Sequence, residues 1–283
     1  MPFVKPAGAS DVWFDRVATR GRRVWVMGVG GSLIERWNGE AWRIVPSPPL
    51  QSDDLLMGIG LIGRRGALVV GRRSEGPLVF RWNGTGWSRV PVPAPPVDEF
   101  EHSLLLDVMV NSRNDIWLSG TIPDDSGTTR GLFEHWDGVA WQIAPTTVGG
   151  VYYLPASSPA ADIWAVGADG KETYFASIAH WDGTAWSGYP TPDYADSRGS
   201  SLSGVAVVAD DDVWGVGRGT TLGTNVPLAE HWDGSTWRLV ATPTCSPRPI
   251  SPMWPHRGRT GCGRSAGSVT GRWSSAGTAM PGT

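Results

Sequence analysis

The 283-residue sequence predicts an all-β fold made of a repeated sheet, and three observations indicate it. A stretch of Trp, Asn or Asp, Gly, two free positions and Trp occurs in copies that begin at Trp37, Trp82, Trp136, Trp181 and Trp232. A short segment rich in β-forming residues precedes each copy. No part of the chain has the periodicity of an amphipathic helix. Because the copies recur about every 45 to 54 residues, we predict a β-propeller of four-stranded antiparallel blades.

Each copy predicts a hairpin of two strands, which we name c and d. Asn-Gly and Asp-Gly supply the positive φ angles of a tight turn, as at Asn38-Gly39. A two-residue turn would make the two Trp residues diagonal neighbours, whereas a four-residue turn would place them directly opposite. In either register both indoles lie on one face of the hairpin. We therefore expect the Trp pairs to pack between neighbouring blades.

The two preceding strands, a and b, lie upstream of each hairpin. Strand a is an apolar segment, clearest in Leu104–Val110, and a polar turn joins it to strand b. Proline-rich segments such as Pro91–Pro96 end strand d, because proline cannot donate to a sheet ladder. Strand b is a pentad in every unit: Val24–Gly28, Ala67–Gly71, Ile116–Gly120, Ile163–Gly167 and Val213–Gly217.

These units predict five in-frame blades. We assign residues 1–243 to the propeller, which is either five-bladed or incomplete. The approximate blade boundaries are 12–46, 55–91, 104–145, 151–190 and 202–243.

Residues 244–283 depart from the repeat and are expected to form an unstructured tail. They contain five Arg and no Asp or Glu, so one interpretation is a basic tail that binds a polyanion. We favour a second interpretation, a frameshifted remnant of a sixth blade. When the tail is back-translated and read one base earlier, positions 253–283 can spell a pentad and a Trp hairpin, whose first Trp falls about 45 residues after Trp232. This interpretation implies a longer parent protein.

The fifth unit resembles a known group of proteins. Asp211–Gly217 followed by Glu230–Gly234 is typical of bacterial β-propeller repeat proteins, and is similar to kelch, galactose-oxidase-like and Asp-box repeats. The resemblance covers residues 12–243 and implies the propeller fold. It leaves the function open, because such propellers include enzymes, lectins and scaffolds.

The totals argue against several partners. A formal net charge of −3 and a pI near 5.9 give no reason to expect nucleic acid or an anionic membrane. No apolar run approaches the roughly 18 residues of a membrane-spanning helix. The segment Met1–Pro6 lacks the apolar core of a secretory signal, yet we expect the intact parent to be exported or on the cell surface. Cys245 and Cys262 both lie in the tail, so no disulfide framework is predicted for the propeller.

The repeated polar residues favour a structural role over a catalytic one. Because equivalent residues lie on separate blades, we expect hydrogen bonds or ion pairs within or between blades rather than a metal centre. We predict no catalytic, cofactor-binding or metal-binding residues. The residues that precede the hairpin Trp are all basic or His: Arg36, Arg81, His135, His180 and His231.

Loop lengths predict a binding face. The b–c and d–a loops vary in length, whereas the a–b and c–d turns hardly change. In an antiparallel blade the two variable classes emerge on one face of the disc, and such variation commonly marks the binding face. The candidate binding residues on this face are Arg72, Arg73, Asp98, Glu99, His102, Asp124, Asp125, Lys171, Tyr174, Asp193, Tyr194 and Arg198.

The sequence therefore favours a non-enzymatic propeller that presents this face to an unknown protein or carbohydrate ligand, without a cofactor. One alternative is a glycan-processing or oxidase-type enzyme, which requires carboxylates or Tyr and His metal ligands converging at the central channel. The other alternative is a non-functional fragment of a longer propeller.

Overall fold

A computed structural model describes residues 13–28, 31, 33–93, 103–123, 129–155, 158, 162–170, 173–192, 197–221 and 224–242. Within these ranges every regular element of secondary structure is a β-strand. The same ranges contain no helix that is long and apolar enough to cross a membrane. The strands are β1 (Phe14–Arg20), β2 (Arg23–Gly28), β3 (Ile34–Trp37), β4 (Trp42–Val45), β5 (Leu55–Ile62), β6 (Gly66–Arg73), β7 (Gly76–Trp82), β8 (Trp87–Arg89), β9 (Leu104–Val110), β10 (Ile116–Pro123), β11 (Thr129–Trp136), β12 (Trp141–Ile143), β13 (Val151–Tyr153), β14 (Ile163–Asp169), β15 (Phe175–Trp181), β16 (Trp186–Tyr189), β17 (Ser197–Ala209), β18 (Asp212–Thr221), β19 (Thr224–Trp232) and β20 (Trp237–Leu239).

Each set of four consecutive strands forms one antiparallel sheet in sequence order. We number these sheets blades 1 to 5, so that β1–β4 form blade 1 and β17–β20 form blade 5. Every blade is an a-b-c-d meander in which neighbouring strands pair. The structure thus confirms the predicted all-β propeller arrangement of five four-stranded blades.

The c–d hairpin has the four-residue turn, one of the two registers that the sequence left open. Trp37 pairs directly with Trp42, and the other four Trp pairs are also cross-strand partners. The side-chain oxygen of Asn38 accepts two backbone N–H groups of its own turn, at 2.9 and 2.8 Å. Gly39 follows with a φ of 106°, which glycine adopts without a steric penalty. The Asn or Asp of the motif therefore acts as a turn acceptor, as in an Asx turn.

The pentad ends in glycine because strand a approaches it closely. A Cβ atom at Gly71, Gly120, Gly167 or Gly217 would overlap the backbone oxygen of a residue on strand a. The a–b register shifts beside this glycine in blades 2, 3 and 5. Such a bulge brings the two backbones together, so the position excludes any side chain.

Tryptophan side chains fill the seams, by which we mean the contacts between consecutive blades. The strand-b Trp of one blade packs against the hairpin Trp pair of the next. Trp117 of blade 3 lies with its ring centroid 4.8 Å from that of Trp181 and 5.7 Å from that of Trp186 in blade 4. The same arrangement joins blade 1 to blade 2 and blade 4 to blade 5. The expectation that the indoles pack between blades is confirmed at these seams.

Candidate binding cleft between blades 2 and 3

A cluster of Trp, His and Asp recurs on blades 3, 4 and 5. In blade 3 the His135 ring stacks on Trp117 with centroids 4.2 Å apart, and its Nε2 lies 3.0 Å from Oδ1 of Asp115. His180 and His231 make the equivalent contacts in blades 4 and 5. The cluster ties strands b and c to the a–b turn, which is the structural role that the sequence predicted for these histidines. Within the described residues, no group of three or more His, Cys, Asp or Glu side chains could hold a metal ion.

Blade 2 lacks all three members of this cluster. Leu68 stands at the Trp position, Arg81 faces it at the His position, and Gly66 replaces the Asp. Because leucine is smaller than tryptophan, it cannot fill the seam as an indole does. The seam between blades 2 and 3 accordingly contains an apolar pocket of about 250 Å³. Its lining residues are Ile62, Leu68, Arg81, Val90, Pro91, Arg113, Ile116, Trp136 and Trp141.

Two arginines, Arg81 and Arg113, line this pocket. A wider cleft of about 950 Å³ shares Arg81 and Arg113 with the pocket and also contains Arg64 and Arg65. We call the two adjoining spaces the arginine cleft. All four side chains are exposed, and none forms an ion pair with a described carboxylate. Because the described lining contains no Asp or Glu, the cleft has an uncompensated positive charge that favours an anion.

An arginine of blade 1 holds the turn that carries Arg64 and Arg65. The Arg23 guanidinium donates hydrogen bonds to the carbonyl oxygens of Gly63 and Gly66, both at 3.0 Å. Burial lowers the pKa of Arg23, and the positive charges of Arg20 and Arg36 act in the same direction. Since Arg23 reaches the turn from the neighbouring blade, the geometry of the cleft depends on the packing of blade 1 against blade 2.

Arg113 lies over the same turn. A Cβ atom at Gly63 would come 2.7 Å from Nε of Arg113, and Gly63 has a φ of 51°. Arg20 donates a hydrogen bond of 3.1 Å to the carbonyl oxygen of Val110, close to the turn that carries Arg113. The glycine therefore leaves room for the guanidinium group, and the two blade-1 arginines fix both turns of the cleft.

The same face of blades 4 and 5 has the opposite charge. Their a–b and c–d turns contain Asp162, Asp182, Asp210, Asp211 and Asp233. Hydrogen bonds lower the pKa of Asp182 to about 2, first from the Thr184 hydroxyl and then from turn N–H groups. A similar set led by the Ser235 hydroxyl lowers the pKa of Asp233 to about 2. Among the described residues, the exposed arginines of these turns therefore lie on blades 1 to 3: Arg22 on blade 1, and Arg64, Arg65 and Arg113 at the arginine cleft.

The inner strands of all five blades line a central cavity of about 540 Å³. Asp15 and Asp107 are the carboxyl groups in its described lining, and Asp15 pairs with Arg16 at 3.5 Å. Asp107 accepts the N–H groups of Val108 and Leu154, at 2.8 and 3.2 Å. Desolvation raises the pKa of Asp107 to about 6, although these hydrogen bonds and Arg16 oppose the shift. Both carboxyl groups thus have structural partners rather than forming a converging pair.

Most residues of the predicted loop face lie outside the described residues: Asp98, Glu99, His102, Asp124, Asp125, Lys171, Asp193 and Tyr194. Arg198 lies in β17, but its side chain is also outside the description. Arg73 is buried and donates two hydrogen bonds to the Asp54 carboxylate, at 2.7 and 2.8 Å. Arg72 and Tyr174 are exposed on blades 2 and 4. The loop face therefore stays a prediction. Of its residues, Arg73 has a structural partner in Asp54.

Sequence reasoning missed the arginine cleft because it compared loop lengths. The a–b and c–d turns hardly vary in length, so loop length does not distinguish the residues that they carry. The signal was present in composition: Ala67–Gly71 is the one pentad without an aromatic residue, and Arg64-Arg65 precedes it. A departure from the repeat marks this site more clearly than an insertion does.

Comparisons with known proteins identify the fold. No family model matches the sequence, and no curated protein matches it. A structure of YCF48 bound to D1 peptide is 17% identical, with 84% of this chain and 70% of that chain covered and a TM-score of 0.50. The SapL1 lectin in complex with alpha methyl fucoside is 14% identical, with 82% and 80% covered and a TM-score of 0.53. U3-55K is 13% identical, with 84% and 68% covered and a TM-score of 0.55. At these identities the similarity shows the propeller fold alone.

Proposed function

We propose that this chain is a non-enzymatic binding propeller, and that it takes an acidic segment of a partner protein into the arginine cleft. The observation that carries the proposal is the set of four exposed arginines, without acidic partners among the described residues, that line a cleft opening beside an apolar pocket. A guanidinium group can bind a carboxylate through two parallel hydrogen bonds, so several of them select an anion strongly.

The apolar pocket favours a peptide over a simple inorganic anion. Trp136, Trp141 and Leu68 offer a surface for an aliphatic or aromatic side chain beside the charged entrance. Binding sites commonly combine an apolar wall with a few well-placed polar groups. Two of the structural neighbours are described with a peptide or a sugar bound, which agrees with binding as a use of the fold.

The charge distribution favours an acidic peptide over nucleic acid. A long polyanion needs a continuous basic track, because its affinity rises with the number of phosphates neutralised. Here the exposed arginines of the turns lie on blades 1 to 3, and aspartates occupy the equivalent turns of blades 4 and 5, so the basic surface does not continue around the face. A short acidic segment can bind the cleft without approaching those aspartates.

The proposal is non-enzymatic because the side chains at the cleft are poor acids and bases. Arginine stays protonated, so it binds and orients anions but does not exchange protons at neutral pH. We also propose, from the sequence, that the repeats are kelch-like or Asp-box-like, that the parent protein is bacterial and exported, and that a sixth blade was lost by a frameshift.

Fluorescence anisotropy of a labelled peptide with six glutamates and one phenylalanine tests the proposal. We expect saturable binding that weakens with added salt, and at least a tenfold loss of affinity in the double variant Arg81→Gln/Arg113→Gln. Arg218→Gln is the matched control, because Arg218 is exposed on β18 of blade 5 and does not line the cleft. Equal binding by the double variant, or tighter binding of an oligonucleotide of equal charge, would overturn the proposal.

A further inference from the structure

Blade 1 presents a sheet face that no described residue covers. The side turned away from blade 2 carries the cross-strand row Val17, Val26, Glu35 and Ile44. Val17 is 65% exposed and Ile44 is 59% exposed, and Trp42 in the adjacent row is 46% exposed. The hairpin Trp pairs of blades 4 and 5 are buried by comparison. Large apolar side chains therefore face outward from a complete sheet.

Blade 5 presents a matching face on the side turned away from blade 4. Ala206, Trp214, His231 and Arg238 form a cross-strand row there. Val216 on the same strand as Trp214 is 49% exposed. The four hydrophobic clusters of the described residues join only consecutive blades, from 1 to 2 through 4 to 5, and none joins blade 5 to blade 1.

These two faces are the two halves of a seam. At the seams on either side of blade 4, the earlier blade contributes a strand-b Trp in ring contact with a His, and the later blade contributes a hairpin Trp pair. Blade 5 presents the first half in Trp214 and His231, whose ring centroids lie 4.3 Å apart. Blade 1 presents the second half in Trp37 and Trp42. Each face thus has the residues of a buried contact, and no described residue supplies the counterpart.

A glutamate series supports this reading of blade 1. Glu134 and Glu230 precede the cluster histidines on strand c and are completely buried in their seams. Glu35 holds the equivalent position in blade 1, where it is only partly buried. Blade 1 therefore has the composition of a blade with neighbours on both sides.

We infer that the opening between blades 5 and 1 is a docking surface for one further four-stranded blade of this repeat. Strands β1 and β17 line the same central cavity, so both free faces border one opening. Its occupant must offer two apolar faces back to back, as a sheet sandwiched between two others does. A second copy of the chain has its two free faces on different sheets, blades 1 and 5, and so it offers no single sheet that is apolar on both sides. The sequence alone predicts the same occupant, because the shifted reading frame of residues 253–283 can spell a further blade of the repeat.

A full-length chain with an added blade tests the inference. Residues 144–190, which contain blade 4 and its connection from blade 3, would be inserted after Thr242 and followed by the native tail. Blade 4 suits the opening, because it already packs between two such faces. Blade 3 presents to it a strand-b Trp with a His, as blade 5 does at the opening, and blade 5 presents a hairpin Trp pair, as blade 1 does. We expect the melting temperature to rise by about 5 °C or more. We also expect a smaller fraction of the tryptophan fluorescence to be quenched by iodide.

Two controls make the outcome decisive. Serine at the inserted copies of Trp164, Trp181 and Trp186 removes both seam halves of the added blade and should abolish the gain. Trp42→Asp on the original blade 1 should also abolish the gain in the extended chain, while it changes the melting temperature of the parent chain little. An unchanged melting temperature on insertion would overturn the inference. A dimer of the parent chain that Trp42→Asp dissociates would also overturn it.

Discussion

A carboxyl group lies without a described hydrogen-bond partner in the seam between blades 2 and 3. Glu134 is completely buried, and it shares a face of strand c with Leu132 and Trp136, which pack against blade 2. Desolvation raises its pKa to about 8. The native state thus keeps a proton that the unfolded state loses above a pH of about 4.5. The stabilising protonation is complete below that pH and is lost as the pH rises toward 8.

We predict that Glu134→Gln stabilises the protein near neutral pH. The variant should match the parent near pH 4 and exceed its free energy of unfolding by about 3 kcal/mol at pH 7, because each pKa unit corresponds to about 1.4 kcal/mol. Urea unfolding at several pH values measures the difference. Glu40→Gln is the control, since Glu40 is exposed on the turn of blade 1. A pH dependence that is identical in parent and Glu134→Gln would contradict the assignment.

The turn aspartate gives a second prediction for a single residue. In blade 4 the Asp182 carboxylate accepts the N–H groups of Thr184 and Ala185, at 2.8 and 3.0 Å. Asn38 and Asn83 make the same contacts in blades 1 and 2. Asp182→Asn should therefore preserve the melting temperature, whereas Asp182→Ala should lower it because two N–H groups lose their acceptor. Equal melting temperatures for the two variants would show that the side chain is not needed for the turn.

At the scale of the blade, equivalent Trp residues differ in their energetic importance. Trp186 is completely buried and stacks on Phe133 with centroids 4.0 Å apart, whereas Trp42 occupies the same hairpin position on the free face of blade 1. We predict that Trp186→Ala costs about 3 to 5 kcal/mol of unfolding free energy, and that Trp42→Ala costs about 1 kcal/mol or less. Denaturant unfolding of both variants measures this. Similar losses would indicate that the blade-1 face is covered in solution.

The blade was predictable from sequence because its signals are local. The Trp pair, the Asn-Gly or Asp-Gly turn and the preceding pentad all lie within one repeat, and five repetitions remove the ambiguity of a single copy. The turn register was not predictable, since both registers satisfy the same pattern. The glycine of the pentad was visible, but its cause was not, because the close approach of strand a depends on a bulge between strands.

The candidate site was harder to predict, because it depends on which blades are neighbours. Leu68 and Arg81 belong to blade 2, whereas Arg113 and Trp136 belong to blade 3, and only packing brings them around one space. The sequence did contain the departure from the repeat at Leu68 and Arg81. The consequence of that departure, a pocket in the seam, follows only once the structure shows that a strand-b Trp fills the seam to the next blade.

At the scale of the whole molecule, the repeat builds the seams between blades, and a departure from the repeat forms the arginine cleft. Three seams follow the Trp rule, and the seam that breaks it contains the arginine cleft. Restoring the Trp rule at blade 2 should therefore remove the site. The variant Leu68→Trp/Arg81→His gives blade 2 the ring pair of blades 3 to 5, and the pocket of about 250 Å³ has room for the larger side chain.

Peptide anisotropy on Leu68→Trp/Arg81→His, read together with its melting temperature, is the most direct test. We predict that the double variant folds with a melting temperature equal to or above that of the parent, because the indole fills the seam. We also predict that its affinity for the acidic peptide falls at least tenfold. Parent-like affinity in a folded variant would contradict the claim that the departure of blade 2 from the repeat creates the binding site.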